Sequence, residues 1–185
     1  MPQERIPLMD EPSVRRALSR MARELVEKNR GTEGLVLMGI HRRGDDLAEL
    51  LREEIERVEG DRVQIGVLDI TLYRDDLAAI GPRPIVGETS LPAGGIDDRT
   101  VVLVDDVLFT GRTVRAALNE LMDWGRPARI LLCVLADRGG REIPIQPDVV
   151  GRSIEVLEGH RVEVLVPQVD GRLEVDLVSP PPEAA

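Results

Sequence analysis

The 185-residue chain is 42% hydrophobic, enough apolar side chain for one substantial core, which excludes a peptide or a wholly disordered segment. Its longest apolar run, residues 130–136, falls far short of the roughly 20 residues of a membrane-spanning helix, and the start MPQERIPLMD has no secretory-signal pattern. A net charge of -10 argues against coating nucleic acid by bulk electrostatics.

The expectation is therefore a soluble, cytoplasmic protein with no membrane partner. The first 30 residues carry seven basic against five acidic side chains, so a local basic face fits the overall acidity. Cys133, the one cysteine, lies inside the apolar run. It excludes an intrachain disulfide or a cysteine metal cluster and reads as a small buried hydrophobe.

In chain order, Asp10 and Pro12 open a helical pattern through Val14, Leu18, Met21 and Leu25, closed by Asn29 and Gly31. Residues 35–40 predict a strand, and Leu47, Leu50, Leu51, Ile55 and Val58 a helix ending at Gly60. Residues 63–68 predict another strand. The stretch 73–99 lacks sustained periodicity and reads as a long loop, with room for a small hairpin, of the kind that works as a lid or binding element. A strand at 101–104, a helix at 112–124 stopped by Gly125 and a buried strand at 130–136 follow.

Strands with continuous apolar runs, alternating with helices, indicate α/β architecture: a mostly parallel sheet flanked by helices. Val162, Val164 and Val166 alternate at period two, as do Leu173, Val175 and Leu177, on either side of the Asp170-Gly171 turn signal; they predict a C-terminal β-hairpin. The whole reads as one domain over residues 1–178, with residues 179–185 a disordered tail.

The most informative window is Val101-Val-Leu-Val-Asp-Asp-Val-Leu-Phe-Thr-Gly-Arg-Thr113. It sets Asp105 and Asp106 at the carboxyl end of a buried strand, where open α/β sheets bind ligands. Thr110, Gly111, Arg112 and Thr113 then run into a helix N-terminus suited to a phosphate. Carboxylates accept hydrogen bonds from sugar hydroxyls while the neighbouring loop donates to phosphate, so one segment fits a ribose 5-phosphate. The plain alternative is an acidic strand-to-turn pair with Thr110 as a helix cap. Neither a Walker A nor a GxGxxG pattern is present.

This window resembles the phosphoribosyl-pyrophosphate loop of type I phosphoribosyltransferases. With Asp69-Ile-Thr-Leu-Tyr-Arg-Asp-Asp-Leu77, Gly125-Arg-Pro127 and Asp137-Arg-Gly-Gly-Arg-Glu-Ile-Pro144, it is similar in order and spacing to the PyrR family. The similarity spans residues 10–154. That family couples uracil phosphoribosyltransferase activity to control of pyrimidine genes through nascent messenger RNA.

The resemblance implies a type I phosphoribosyltransferase fold with a small hood. It assigns Asp105 and Asp106 to the ribose hydroxyls, and Val107, Leu108, Phe109, Thr110, Gly111, Arg112 and Thr113 to the ribose and 5-phosphate. The loop His41, Arg42, Arg43 and Gly44 would take pyrophosphate, Arg43 holding the leaving group; His41 and Arg42 read equally as solvated loop cations. Arg74, with Tyr73, would work from the long loop, although Tyr73 reads as well as a packing residue. Asp137 and Arg138 would read the base, or form a charged turn with a salt bridge.

The implied reaction converts uracil and phosphoribosyl pyrophosphate to UMP and pyrophosphate. Mg2+ would be the cofactor, held by substrate oxygens and water with no protein metal cage. The implied RNA partner is the pyr operon leader mRNA, bound under control of UMP or UTP to promote transcription attenuation. Its contacts would be Ser19, Arg20, Arg23 and Lys28 on the first helix, with Arg141 and Arg152 from a later loop; the helix stripe reads otherwise as a solvated face. Family members form homodimers or homotetramers. Gly140, Gln146 and residues 154–157 depart from the family pattern on the RNA side, while Phe109 is ordinary for it. Two alternatives remain: a uracil phosphoribosyltransferase without RNA binding, and a non-catalytic UMP-sensing RNA-binding regulator. A different base, such as hypoxanthine, is a further possibility.

Overall fold

The computed structural model describes residues 3–74 and 87–180. Five strands form one parallel sheet: β2 (Leu35–Ile40), β3 (Gln64–Leu68), β4 (Thr100–Leu108), β5 (Arg129–Asp137) and β6 (Val149–Ser153), in the order β3-β2-β4-β5-β6. A second, antiparallel sheet has the order β1-β8-β7, from β1 (Arg5–Met9), β7 (Arg161–Leu165) and β8 (Glu174–Val178). The helices are α1 (Glu11–Asn29), α2 (Gly44–Glu59), α3 (Arg112–Trp124) and the one-turn α4 (Pro167–Asp170).

The apolar runs of the central strands alternate between two cores. Leu35, Leu37, Val102, Val104, Leu131 and Cys133 face one way, packing with α1 and α2. Val36, Met38, Val101, Leu103, Leu132 and Val134 face the other, packing with α3. A period of two inside an unbroken apolar run is what a sheet covered on both faces requires. Cys133 is fully buried, and burial pushes its thiol up from the usual range, so it stays protonated and inert.

Each helix starts and stops for local reasons. The Asp10 carboxylate accepts from the Ser13 N–H at 3.0 Å and opens α1, and Arg30 in the left-handed conformation closes it. Gly60, at φ 78°, stops α2. The apolar stripe of α1 buries Val14, Leu18, Met21 and Leu25.

Several elements differ from expectation. The C-terminal hairpin is present, but α4 interrupts its connection, and β1 pairs on its far side, so the small second sheet unites both ends of the chain. β1 and β6 lie in segments for which the sequence pattern predicts no element: Arg5–Met9 is largely exposed and holds a proline, and only Val149 of β6 is fully buried. β4 extends through Asp105 and Asp106 to Leu108. Of the long loop, residues 75–86 lie outside the described residues. Its start is a 3-10 turn, Ile70–Tyr73, and its return carries a single antiparallel bridge, Val67 to Ser90, where a hairpin was a possibility. Ser179, expected to begin the tail, donates its N–H to the Glu4 carbonyl at 3.0 Å; residues 181–185 lie outside the described residues. No helix among the described residues is long and apolar enough to cross a membrane.

Candidate active site

The chain leaves β2 toward β3 on one side and leaves β4 toward β5 on the other. The carboxyl ends of β2 and β4 therefore flank the point where the winding reverses, the place where a parallel sheet opens a ligand crevice. The β2–α2 loop, residues 41–43, and the rim of β4 meet there. Contact is by backbone: a Cβ on Gly44 would lie 2.5 Å from the Val104 carbonyl oxygen and 3.3 Å from Asp105 Cα. A Cβ on Gly39 would lie 2.3 Å from Asp45 Cα. Both glycines allow an approach that no side chain permits.

Asp105 is 5% exposed. Its carboxylate accepts from the Asp106 N–H at 2.9 Å, and that of Asp106 from the Val107 N–H at 2.7 Å. Burial holds both acids above the usual carboxylate range, Asp105 well above it, with repulsion from Asp106 adding at Asp105. At Asp106 the nearby Arg43 charge works in the opposite sense. Buried acids poised at a crevice are what a hydroxyl-rich ligand would satisfy.

After β4 the chain turns through exposed Phe109 and half-buried Thr110 to Gly111, whose φ of 92° caps α3 with no side-chain bond. Thr110 Oγ1 accepts weakly from the Arg112 N–H at 3.3 Å. The Arg112 side chain leans out to Glu142 at 2.7 Å, and Thr113 is exposed at the first turn. Val107 and Leu108 pack inward, so only their backbone is offered to the crevice.

The β2–α2 loop departs from expectation in one respect. Arg43 already has a carboxylate partner: its Nε and Nη2 donate to the Asp170 carboxylate on α4, both at 3.1 Å. His41 Nδ1 lies 2.7 Å from Asp45 Oδ2, and Arg42 is exposed. Asp170 had been read only as a turn residue, and its partner stands 127 positions away. The Arg43 guanidinium holds the Asp170 carboxyl below the usual range, so the pair contributes stability that is full at neutral pH. That stability is lost as pH falls below about 4 through the lowered folded value. Asp170→Asn is expected to cost about 1 kcal/mol at pH 7, the pair being part-exposed, with the deficit shrinking toward pH 3 in urea denaturation.

Asp137 and Arg138 line an open cavity of about 370 Å³ at the ends of β5 and β6, together with Ser153, Ile154 and Glu155, which sequence reading had not placed there. Arg138 stacks its guanidinium 4.0 Å from the centre of the Phe109 ring and donates to the His160 carbonyl at 2.9 Å. A Cβ on Gly140 would lie 2.5 Å from that ring, so a side chain at 140 in this chain would have to displace Phe109. Asp137 forms the alternative salt bridge of a charged turn, with Arg141 at 2.7 Å. Arg74 stands at the end of the 3-10 turn, and the Tyr73 hydroxyl donates to Asp123 at 2.6 Å, which favours a packing role for that side chain.

The expected RNA-contacting residues divide. Arg20, Arg23 and Lys28 line an exposed depression of about 560 Å³ on α1, interleaved with Glu24 and Glu27. Arg20 also donates to the Val150 and Gly151 carbonyls at 3.0 and 2.6 Å, and Ser19 Oγ accepts from Arg57 at 3.1 Å. Arg152 sits on β6, not on a loop, and donates to the Leu8 carbonyl. Arg141 departs furthest from its expected place on an exposed basic face: its side chain is 13% exposed and turned inward. Among the described residues no group of three or more His, Cys, Asp or Glu is placed to hold a metal ion.

Comparison with known proteins gives concordant results. The phosphoribosyl transferase domain family matches residues 8–170. The "Bifunctional protein PyrR" of Thermus aquaticus is 55% identical over 170 residues, covering 92% of this chain and 93% of the relative. That of Herpetosiphon aurantiacus is 55% identical over 163 residues, covering 88% and 90%. Among solved structures, a Trypanosoma cruzi hypoxanthine phosphoribosyl transferase superposes with a TM-score of 0.70 at 21% identity, over 96% of this chain and 92% of that one. A Staphylococcus aureus hypoxanthine phosphoribosyltransferase gives 0.65 at 16% identity, over 96% and 93%. At such identities the structures share the fold.

Proposed function

This chain belongs to the phosphoribosyl transferase domain family and, within it, to the PyrR proteins, and from that premise we propose that it transfers a phosphoribosyl group to uracil and binds the leader mRNA of its pyrimidine operon. The observation that carries the proposal is the pair Asp105 and Asp106 at the β4 rim, running through Gly111 into the uncapped N-terminus of α3, opposite the β2–α2 loop.

Uracil and phosphoribosyl pyrophosphate become UMP and pyrophosphate. Asp105 and Asp106 accept hydrogen bonds from the ribose hydroxyls, and the loop from Phe109 to Thr113 donates main-chain N–H groups to the 5-phosphate. Positive charge developing on the sugar ring meets the carboxylates already in place, which is electrostatic preorganisation. No covalent nucleophile takes part. Arg43 takes a departing pyrophosphate oxygen in exchange for Asp170, a swap of one bidentate anion for another. The cavity beside Asp137 and Arg138 receives the base.

Mg2+ suits the hard oxygen donors of this rim, held mainly by substrate oxygens and water. When bound it neutralises charge on the pyrophosphate. The protein would work as a homodimer or homotetramer, in the cytoplasm.

RNA engages the α1 face through Arg20, Arg23 and Lys28, with UMP or UTP as the controlling nucleotide. The test has two arms. Purified protein with uracil and phosphoribosyl pyrophosphate is expected to release UMP and pyrophosphate in equal amounts, and far less product with hypoxanthine; no UMP would overturn the enzymatic half. In a gel-shift titration the leader RNA is expected to bind more tightly with UMP, and Arg20→Ala to weaken binding about tenfold with UMP synthesis retained. Equal binding of leader and scrambled RNA would leave the enzyme alone.

A further inference from the structure

Three successive carbonyls of the phosphate loop face the segment that follows β5. The Leu108 carbonyl accepts from the Arg138 N–H at 3.1 Å, and the Thr110 carbonyl from the Glu142 and Ile143 N–H groups at 3.0 and 3.1 Å. The carbonyl between them, that of Phe109, accepts from Arg141 Nη1 at 2.9 Å. A trans peptide is planar, with its N–H pointing opposite its C=O. Anchoring these three oxygens therefore aims the N–H groups of Phe109, Thr110 and Gly111 the other way, into one concave anion cradle.

Two of the three anchors are main-chain donors, present whatever the side chains. The middle one depends on Arg141. Three more of its donors go to the Ile145 carbonyl at 2.9 Å, the Gly139 carbonyl at 3.3 Å and the Asp137 carboxylate at 2.7 Å. Four of the five N–H donors are thus engaged inside the protein, and the side chain is only 13% exposed. Only a planar fork with five N–H donors covers this set of acceptors; a lysine reaches fewer and without the fork geometry.

We infer that Arg141 is a positioning residue, holding the phosphate loop in its anion-binding form and tying it through Asp137 to the base-side cavity. This rests on the phosphoribosyl reading of the loop given above. Removing the guanidinium leaves the Phe109 carbonyl and the Asp137 carboxylate short of a donor, and the loop peptides are then free to rotate and bring a carbonyl toward the phosphate.

The 5-phosphate is the difference between UMP and uridine, so the experiment is equilibrium titration of both ligands into wild type, Arg141→Gln and Arg141→Lys, with a thermal melt of each protein. Wild type is expected to prefer UMP. Arg141→Gln should cut that preference about tenfold, chiefly through weaker UMP binding, and Arg141→Lys should recover part of it. A purely structural role would lower the melting temperature and weaken both ligands together, leaving the preference unchanged, and would overturn the inference. So would a wild-type preference accompanied by loss of leader RNA binding, the mark of direct RNA contact. Arg141→Lys decides the matter if the glutamine variant does not fold. A wild type that binds uridine and UMP equally would refute the phosphoribosyl reading itself.

Discussion

Asp105→Asn is expected to lower UMP synthesis about a hundredfold while making the protein harder to unfold. Two opposite effects come from one oxygen-to-nitrogen exchange. In the ligand-free protein the Asp105 carboxylate is 5% exposed, beside a second acid and raised well above its ordinary range, so holding it ionised costs folding free energy. An amide of the same shape removes that cost, with a gain of about 1 kcal/mol, or about 2–4 °C for a chain of this size.

The sign with pH is fixed. Because the folded value lies above the unfolded one near 4, wild type loses stability as pH rises from about 4 through the folded value, and the penalty is complete above it. The advantage of Asn therefore grows as pH rises through the folded value and closes as pH falls toward 4. Catalysis goes the other way: the amide is a poorer acceptor for the ribose hydroxyls and supplies no negative charge to the developing cation. Calorimetric melts at pH 4 and pH 7.5, with turnover at the higher pH, check both halves. Full turnover in Asp105→Asn and Asp106→Asn would remove the ribose assignment.

The second large effect is expected at Gly39→Ala. The added methyl would stand 2.3 Å from Asp45 Cα, 2.6 Å from its nitrogen and 2.7 Å from the Gly44 carbonyl oxygen. Every one is a backbone atom, so no side-chain rotation relieves the contact. The first turn of α2 has to withdraw from β2, at a cost of about 1–3 kcal/mol, and Arg43 and Gly44 withdraw with it. The melting temperature is expected to drop by about 5–10 °C, with KM for phosphoribosyl pyrophosphate rising more than KM for uracil, because the base-side cavity lies across β4 on β5 and β6. A wild-type melt and unchanged KM would show that the loop does not depend on this approach.

Much of the fold was legible because its signals are local. The runs at 35–40 and 130–136 could only be strands covered on both faces, and the caps at Asp10 and Gly60 sit beside strong helical periodicity. The acidic rim was legible too, since carboxylates followed by Thr110-Gly111 at a strand end carry a chemical meaning wherever the strand lies. β1 and β6 were not, being edge strands held by pairing rather than by apolar content. The engagement of Arg43 with Asp170 was hidden by chain separation, since nothing near either residue names the other. Arg141 shows a different limit. An arginine that reaches outward for RNA and one folded inward onto carbonyls are the same letter, and only burial separates them.

β6 is one of the two outermost strands of the parallel sheet, and two of its carbonyls are occupied by the Arg20 guanidinium. An uncovered outer strand invites a neighbouring polypeptide to add itself and start an aggregate. Here the Arg20 guanidinium covers two carbonyls of such a strand and also belongs to the surface proposed for RNA, so Arg20→Ala would uncover part of the strand as well as alter that surface.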